Sequence, residues 1–394
     1  MNSPTIFFLV TEDWYFWSHR IDLARAAMRA GYRVTLAARF TSHQARIEAE
    51  GIRCVPVAFV RSMGNPLAEL KLLFQLARII AREAPAIVHA VALKPMLLSA
   101  LAIVRCPATQ FCHAVTGLGY LFIAPRPAMR WLRALLKPAL SWLLARPNCH
   151  VIVQNDDDLA TLNANGIVSP RNAITIRGAG VDLNTFTVQP LPTRVTANAS
   201  QLPAPVVLLP ARMLRDKGVY EFTQAAALLH TRGIAATFAL VGGLDESNAA
   251  ALTRPEMDAL LSEGHTQWWG HRSDMPAVYA SATVVCLPSY REGFPKALLE
   301  AAACGRPLVA TDVPGCRDIC RAGETGTLVP ARNAEALADA IAALLADPAR
   351  CSRYGAAARA LVEREFSATI INGETVALYR RLAGGALAAH AGPA

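Results

Sequence analysis

Two glutamates separated by seven residues, Glu292 and Glu300, form the most informative pattern in the chain. They lie in the segment PSYREGFPKALLEAAACGRP, which follows the apolar run TVVCL. A short apolar run bounded by turn residues is typical of a buried strand. The fixed φ of Pro295 suits the first position of a helix, and Gly305 suits its end. The sequence therefore predicts a strand, a loop that holds Glu292 and a helix that holds Glu300.

This arrangement suits a nucleotide-sugar site. Backbone N–H groups at the start of a helix attract phosphate, and Gly293 and Phe294 are predicted to offer such groups. A carboxylate can accept hydrogen bonds from both hydroxyls of a ribose, and we assign that role to Glu300. A glutamate in a helix is ordinarily a solvated surface residue, and Glu292 could simply cap the helix. The neighbours of Glu300 are mainly alanine and leucine, however, so a carboxylate buried there needs a partner.

The spacing E-G-F-P-x-x-x-x-E resembles the paired-glutamate motif of retaining GT-B glycosyltransferases of family 4. The resemblance covers nearly the whole chain, including WYFWSHR (14–20), TGLGY (116–120), QNDDDL (154–159) and GAGVD (178–182). It is greatest to the subgroup that adds sugars to lipid-diphosphate-linked acceptors for bacterial surface polysaccharides. The resemblance implies an α/β protein of two doubly wound Rossmann-like domains facing across a cleft. It also implies retaining transfer of a hexose or N-acetylhexosamine from a UDP-sugar to a polyprenyl-diphosphate-linked saccharide.

The resemblance places Arg212 and Lys217, in PARMLRDKG, on the donor diphosphate. Fixed cations stabilise the charge that a departing nucleoside diphosphate gains, although two basic residues in a surface loop are the alternative. Glu292 corresponds to the family glutamate near the hydroxyls of the donor sugar. Gly242 and Gly243 follow the apolar run TFALV, where they would allow close approach of the donor or form an ordinary turn.

The first half of the chain offers weaker candidates. Many relatives have a glycine loop after the first strand, whereas TEDWYFWSHR stands here. The SHR triplet is predicted to start a helix and to line the cleft, although its histidine equally suits a structural role. A further histidine precedes TGLGY, but the glycine motif three residues later makes its register ambiguous; the two glycines predict a tight backbone approach. These candidates are Ser18, His19, Arg20, His113, Gly117 and Gly119.

A metal or a cofactor is not expected. Asp156 and Asp158 have a D-x-D spacing, but with Asp157 they follow the apolar run HVIVQ and begin a predicted helix, where acids favour the helix dipole. No G-x-G-x-x-G follows a strand, which argues against a nicotinamide cofactor. The nine cysteines include no C-x-x-C pair, which favours reduced thiols over a zinc site.

Alternation of apolar runs with helical patterns predicts parallel sheets with helices on both faces. A helix is expected over Ser18–Ala30, and the alternation restarts with VVLLP after a segment rich in Pro, Ser, Thr and Ala. The predicted domains are 1–185 on the acceptor side and 206–365 on the nucleotide-sugar side, joined by a linker at 186–205. The last segment, 366–394, is predicted to form a helix that by analogy packs back on the first domain.

The charge of the chain is uneven. Residues 1–185 hold 20 of the 39 Lys and Arg but only 11 of the 30 Asp and Glu, so the net charge of +9 lies entirely there. Residues 126–146 combine apolar and basic stripes with two tryptophans, which is typical of a helix lying on an anionic membrane; a domain helix packed on its sheet is the alternative. The basic stripe consists of Arg126, Arg130, Arg133 and Lys137.

No segment approaches the roughly 18 uninterrupted apolar residues of a membrane span, and the first ten residues lack a signal-peptide pattern. We therefore expect a cytoplasmic protein, peripheral on the inner face of the cytoplasmic membrane. The expected partners are a UDP-sugar, a lipid-linked saccharide and an anionic membrane surface, with no nucleic acid. A nucleotide-sugar epimerase and a non-catalytic sugar-nucleotide-binding protein on the membrane are the alternative functions.

Overall fold

The computed structural model describes residues 3–59, 65–116, 137–192, 204–246 and 248–390, with only the backbone of 385–390. The chain divides into two compact units. The first comprises Met1–Ala179 with Ala368–Ala394, and the second comprises Gly180–Ser367. The division thus precedes the predicted boundary at residue 185, and much of the predicted linker lies outside the described residues.

The first unit is built on a parallel sheet of seven strands in the order β3-β2-β1-β4-β5-β6-β7. The strands are β1 (Thr5–Glu12), β2 (Arg33–Arg39), β3 (Arg53–Pro56), β4 (Ile87–Val91), β5 (Gln110–Val115), β6 (Cys149–Val153) and β7 (Ala173–Thr175). The central strands are nearly continuous apolar runs because helices cover both faces of the sheet.

The helices of the first unit are α1 (Asp13–His19), α2 (Ile21–Arg29), α3 (Gln44–Ala49), α4 (Pro66–Glu83), α5 (Leu93–Leu98), α6 (Ala100–Arg105), α7 (Asp156–Ala164) and the C-terminal α15 (Ala368–His390). Residues 137–144 are also helical. On one face of the sheet, α2 and α15 enclose a core that includes Phe8, Ala24 and Tyr379. On the other, α4, α6 and residues 137–144 enclose a second core.

The predicted helix over Ser18–Ala30 is wrong at its start. Helix α1 already begins at Asp13, whose carboxylate accepts a hydrogen bond from the backbone N–H of Trp14 at 2.8 Å. Arg20, with φ −130° and ψ −8°, then separates α1 from α2. The SHR triplet therefore ends one helix and leads into the next.

The second unit contains a parallel sheet of six strands in the order β10-β9-β8-β11-β12-β13. The strands are β8 (Val206–Pro210), β9 (Thr237–Val241), β10 (Thr266–Trp268), β11 (Val284–Leu287), β12 (Leu308–Thr311) and β13 (Gly326–Val329). The strand order reverses between β8 and β11, and in doubly wound sheets ligands bind outside the carboxyl ends of the strands at such a point.

The helices of the second unit are α8 (Val219–Thr231), α9 (Arg254–Ser262), α10 (Met275–Ser281), α11 (Lys296–Ala303), α12 (Cys316–Ile319), α13 (Ala334–Leu345) and α14 (Pro348–Leu361), with a 3₁₀ turn at Arg215–Lys217 and a π-helical turn at Val362–Phe366. Helix α11 begins one residue after Pro295, the predicted first position, because Pro295 itself has an extended ψ of 112°. Gly305, with φ +69°, ends it as predicted.

Candidate active site

Lys217 and Glu292 meet at the carboxyl edge of the second sheet. Lys217 ends the 3₁₀ turn after β8, and Glu292 lies in the loop after β11. The Lys217 Nζ lies 2.5 Å from the Glu292 Oε1, which also accepts a hydrogen bond from the Ser289 hydroxyl at 2.7 Å. The side chains of Lys217 and Glu292 are only 18% and 10% exposed. Partial shielding from water strengthens a charge interaction, so both side chains are held in fixed positions.

A close contact between two backbones brings these loops together. Gly218 has φ +72°, and a Cβ at this position would lie 2.1 Å from the carbonyl oxygen of Pro288. Only glycine fits such a position. Next to this contact, the backbone N–H of Tyr290 donates to the Asp216 carbonyl at 2.8 Å. The Lys217–Glu292 pair thus depends on a neighbouring glycine that the sequence analysis did not single out.

A second glycine supports the loop that contains Gly293 and Phe294. Gly315 follows β12 with φ +78°, and a Cβ there would lie 2.3 Å from the Gly293 carbonyl oxygen. The Phe294 ring is buried and packs edge-on against Phe366, with ring centroids 5.1 Å apart. The Phe294 side chain therefore belongs to the core, and phosphate binding by the two backbone N–H groups stays a prediction.

Glu300 is largely buried on α11, and its carboxylate has two partners. Its side chain is 13% exposed, it accepts a hydrogen bond from the Tyr279 hydroxyl at 3.0 Å, and the Lys296 Nζ lies 3.5 Å away. Burial raises the pKa of Glu300, against the opposing effects of the Lys296 charge and the Tyr279 hydrogen bond. The sequence indicated that this carboxylate needs a partner. The i, i+4 spacing could have identified Lys296, but Tyr279 comes from the separate helix α10.

Arg212 and Gly242 lie at the ends of the neighbouring strands β8 and β9. The Arg212 Nη1 lies 2.5 Å from the Asp245 Oδ2, while 47% of the Arg212 side chain remains exposed. A Cβ on Gly242 would lie 1.8 Å from the Ala211 carbonyl oxygen, so Gly242 is required for the two loops to approach. A Cβ on Gly243 would meet its nearest neighbour at an ordinary 3.7 Å, so the backbone packing does not require that glycine.

The segments after β8 and β11 thus bring Arg212, Lys217, Glu292 and Glu300 to one edge of the second sheet, together with the ion-pair partners Asp245 and Lys296. Cations bind and stabilise phosphate oxygens, whereas carboxylates accept hydrogen bonds from hydroxyl groups. A ligand that carries both kinds of group, such as a sugar nucleotide, matches this set. The predicted residues of the second unit therefore lie at one edge of the sheet.

His113 is fully buried in β5. Its Nε2 lies 4.0 Å from the Cys149 Sγ, and its ring stacks on Phe111. Burial, together with the charge of His150, lowers the pKa of His113 to about 3, so the ring is neutral near pH 7. A catalytic role for His113 stays a prediction. For that role, a substrate group would have to contact a side chain that has no accessible surface.

Within the SHR triplet, the Ser18 hydroxyl lies 2.6 Å from the His19 Nδ1, whereas Arg20 is buried. Ser18 is exposed, and its hydroxyl donates to the Trp14 carbonyl at 2.9 Å. The His19 ring stacks on Tyr15, with centroids 4.3 Å apart. Arg20 is buried; burial lowers the pKa of His89, and the Arg20 charge lowers it further. The triplet therefore does not form one exposed polar site, and Gly117 and Gly119 lie outside the described residues.

Asp156–Asp158 form the first turn of α7, as the sequence predicts. Asp156 pairs with Arg177 at 2.7 Å, and the Asn155 side chain accepts the N–H of Asp158 at 2.7 Å. Across the described part of the chain, no group of three or more His, Cys, Asp or Glu is placed to hold a metal. All nine cysteines are free thiols, most of them buried.

The predicted membrane segment 126–146 is described only from residue 137 onward. In that part Leu140, Leu143 and Leu144 are buried in the domain core. Trp142 is 57% exposed, and the Arg146 guanidinium lies 4.1 Å from its ring centroid. The described part is thus a domain helix with an exposed basic and aromatic rim, and Arg126, Arg130 and Arg133 lie outside it. Within the described residues, no helix has the length and apolarity needed to cross a membrane.

In comparison with known proteins, each of the two units matches a glycosyltransferase family. Residues 5–166 match the family described as glycosyl transferase 4-like, and residues 204–347 match the glycosyl transferases group 1. A similar curated protein is the N,N'-diacetylbacillosaminyl-diphospho-undecaprenol alpha-1,3-N-acetylgalactosaminyltransferase of Campylobacter jejuni. The two are 28% identical over 305 residues, which span 75% of this chain and 77% of that protein.

Solved structures agree on the fold. Sucrose-phosphate synthase from Thermosynechococcus elongatus superposes with a TM-score of 0.76 over 97% of this chain and 100% of that one, at 22% identity. Anabaena HepE in complex with UDP and glucose gives a TM-score of 0.76 over 96% and 100% of the two chains, at 19% identity. These likenesses and the two doubly wound sheets confirm the predicted fold class. The chain therefore belongs to the family 4 glycosyltransferases and has the GT-B fold.

Proposed function

We propose that this glycosyltransferase moves a hexose or N-acetylhexosamine from a UDP-sugar to a polyprenyl-diphosphate-linked saccharide, with retention of anomeric configuration and without a metal. The observation that carries the proposal is the set of charges at the carboxyl edge of the second sheet. There the Lys217–Glu292 pair and Arg212 lie at strand ends, and Glu300 is largely buried on the helix that follows Glu292. Such a set fits the diphosphate, the ribose and the sugar hydroxyls of one donor.

In this proposal the donor diphosphate binds Arg212 and Lys217, each of which is already oriented by a carboxylate. Glu300 accepts hydrogen bonds from the ribose, and Glu292 contacts the hydroxyls of the donor sugar. The bond between the anomeric carbon and the phosphate oxygen breaks, and the acceptor oxygen bonds to the same carbon. The departing diphosphate takes the proton of the acceptor hydroxyl. The two cations stabilise the charge that develops on this leaving group, so no protein base is assigned.

The relatives support the choice of donor and acceptor. The name of the Campylobacter protein specifies a diphospho-undecaprenol-linked acceptor, and the Anabaena protein was crystallised with UDP. By extension, we place the enzyme in the synthesis of a bacterial surface polysaccharide, peripheral on the inner face of the cytoplasmic membrane. The excess of basic residues in the first half of the chain suits such a surface.

The test is UDP release from a panel of UDP-sugars, with and without a synthetic polyprenyl-diphosphate-linked saccharide. Transfer predicts release that requires the acceptor, a glycosylated lipid product and an unchanged anomeric configuration by NMR. Lys217→Ala should abolish release, whereas the matched control Arg232→Ala removes only an exposed pair with Asp339. UDP release and an altered sugar without acceptor would instead indicate an epimerase. Binding without turnover of any donor would indicate a non-catalytic protein.

A further inference from the structure

Helix α4 has a second apolar strip, which is not buried in the core. Its inner face, with Leu72, Leu76 and Ile80, packs against the sheet of the first unit. On the outer face, Leu67, Leu70 and Phe74 are 71%, 51% and 39% exposed. Residues spaced by three and four positions lie on one side of a helix, so these three side chains form a continuous exposed strip.

Two cations flank this strip. Lys71 and Arg78 are exposed on the same side of α4, and neither makes an ion pair with a described residue. The acidic residues of the helix are neutralised instead, because Glu69 pairs with Lys94 at 2.6 Å and Glu83 with Arg53 at 2.7 Å. The outer face of α4 is therefore apolar and positively charged.

The position of α4 in the fold determines which edge of the sheet this strip lies near. The helix follows β3 and precedes β4, and both strands run parallel in the same sheet. The amino-terminal half of α4, which carries Leu67, Leu70 and Phe74, therefore lies toward the carboxyl edge of that sheet. In doubly wound sheets this is the edge where ligands bind.

We propose that the strip Leu67, Leu70 and Phe74, with Lys71 and Arg78, docks on an anionic lipid bilayer. Apolar side chains of an interfacial helix enter the boundary between headgroups and acyl chains, while adjacent cations contact the lipid phosphates. Exposed apolar patches also mark protein contacts, but the two unpaired cations and the excess basic charge of residues 1–185 are complementary to anionic lipid. None of these five residues belongs to the predicted segment 126–146. The inference deepens the acceptor side of the proposed function, because a polyprenyl-linked acceptor resides in a membrane.

The test is co-sedimentation of the full chain with vesicles of phosphatidylcholine, with and without phosphatidylglycerol. Lys71→Gln with Arg78→Gln should weaken binding about 25-fold at low salt, since each cation near an anionic surface contributes about fivefold. Salt should reduce that difference by screening. Leu67→Gln with Leu70→Gln and Phe74→Gln should lower binding at both salt concentrations. Matched controls are Arg29→Gln, an exposed cation on α2, and Val188→Gln, a 54% exposed apolar residue of the second unit.

Equal sedimentation of the wild type and both α4 variants overturns the inference. Failure of the wild type to bind vesicles that contain phosphatidylglycerol overturns it as well. A change in oligomeric state by light scattering, without a change in vesicle binding, would assign the strip to a contact between protein copies. UDP binding and thermal unfolding report whether each variant is folded, and the two-cation variant replaces only exposed residues. Vesicle binding that depends on α4 in a protein inactive toward lipid-linked saccharides would refute the proposed function and leave this surface in place.

Discussion

Replacement of Glu300 by glutamine separates a binding role from a structural one. The substitution keeps the shape of the side chain and an oxygen that can still accept the hydrogen bond from Tyr279, 3.0 Å away in the wild type. It removes the charge that we assign to the ribose diol. A hydrogen bond to a charged group contributes about 1.5–3 kcal/mol, so UDP should bind roughly 10- to 100-fold more weakly.

The same substitution should not reduce stability at neutral pH. Burial raises the pKa of Glu300 in the folded state, so the folded protein holds this proton more tightly than the unfolded chain. For such a group the free energy of unfolding falls as pH rises through the unfolded pKa toward the folded one. Above that window the buried carboxylate destabilises the fold. Glu300→Gln should therefore leave the free energy of unfolding at pH 7 unchanged or raise it.

Calorimetry with UDP and urea denaturation at pH 7 measure the two effects on the same preparations. Glu263→Gln is the matched control, because Glu263 is exposed at the end of α9 in the same unit. Weaker binding with equal or greater stability supports the ribose role. Unchanged UDP affinity in a folded Glu300→Gln protein would refute it, and loss of both binding and stability would show that Glu300 mainly supports the fold.

Four further outcomes are expected. Tyr279→Phe should raise the pKa of Glu300 further, because the Tyr279 hydrogen bond lowers it; the acidic limb of UDP binding should move to higher pH, and a pH-independent loss of affinity would contradict this. Gly218→Ala adds about 1–2 kcal/mol of left-handed backbone strain and a Cβ 2.1 Å from a carbonyl oxygen, so kcat/KM should fall; unchanged kinetics would show that the loop relaxes. Turnover should survive EDTA, because Lys217 and Arg212 replace a metal at the diphosphate. Loss of activity on chelation that manganese restores would overturn this. Burial alone would raise the pKa of Asp13, but hydrogen bonds from three backbone N–H groups lower it from 3.8 to about 2. The Asp13 charge therefore stabilises the fold above pH 3.8, and that stability is lost as pH falls toward 2. Asp13→Asn should lower the free energy of unfolding by about 2 kcal/mol in urea denaturation at pH 7, and a loss that persists at pH 2 would point to packing instead.

The fold could be predicted because its signals are local. Apolar runs, glycine stops and strand–helix alternation each extend over a few residues, and together they specify two parallel sheets. The start of α1 was missed for the opposite reason. Ser18 has the residue type of a helix cap, but the helix begins at Asp13, whose carboxylate also accepts the backbone N–H groups of Thr41, Ser42 and His43. Those contacts join residues about 30 positions apart, which periodicity does not detect.

In the candidate site, too, the sequence predicts individual residues but not the contacts between distant ones. Lys217 and Glu292 were each predicted from their own motif, but their direct pairing joins residues 75 positions apart. The hydroxyl that holds Glu300 likewise comes from another helix, at Tyr279. His113 was predicted from its place before a glycine motif, and that motif lies outside the described residues. Residue types thus identified the charged groups, whereas their mutual contacts required the packing of distant loops.

The loop between β8 and α8 connects these contacts. On one side, Gly242 lets the loop after β9 approach this loop, and there Arg212 pairs with Asp245. On the other side, Gly218 lets the loop after β11 approach, and there Lys217 pairs with Glu292. Each glycine contact places two backbones close enough for an ion pair to form beside it. The two cations proposed to bind the donor diphosphate are thus positioned by steric fit as well as by charge. Because a fixed cation needs little reorganisation when charge develops on a leaving group, this loop is where the fold contributes most directly to the proposed transfer.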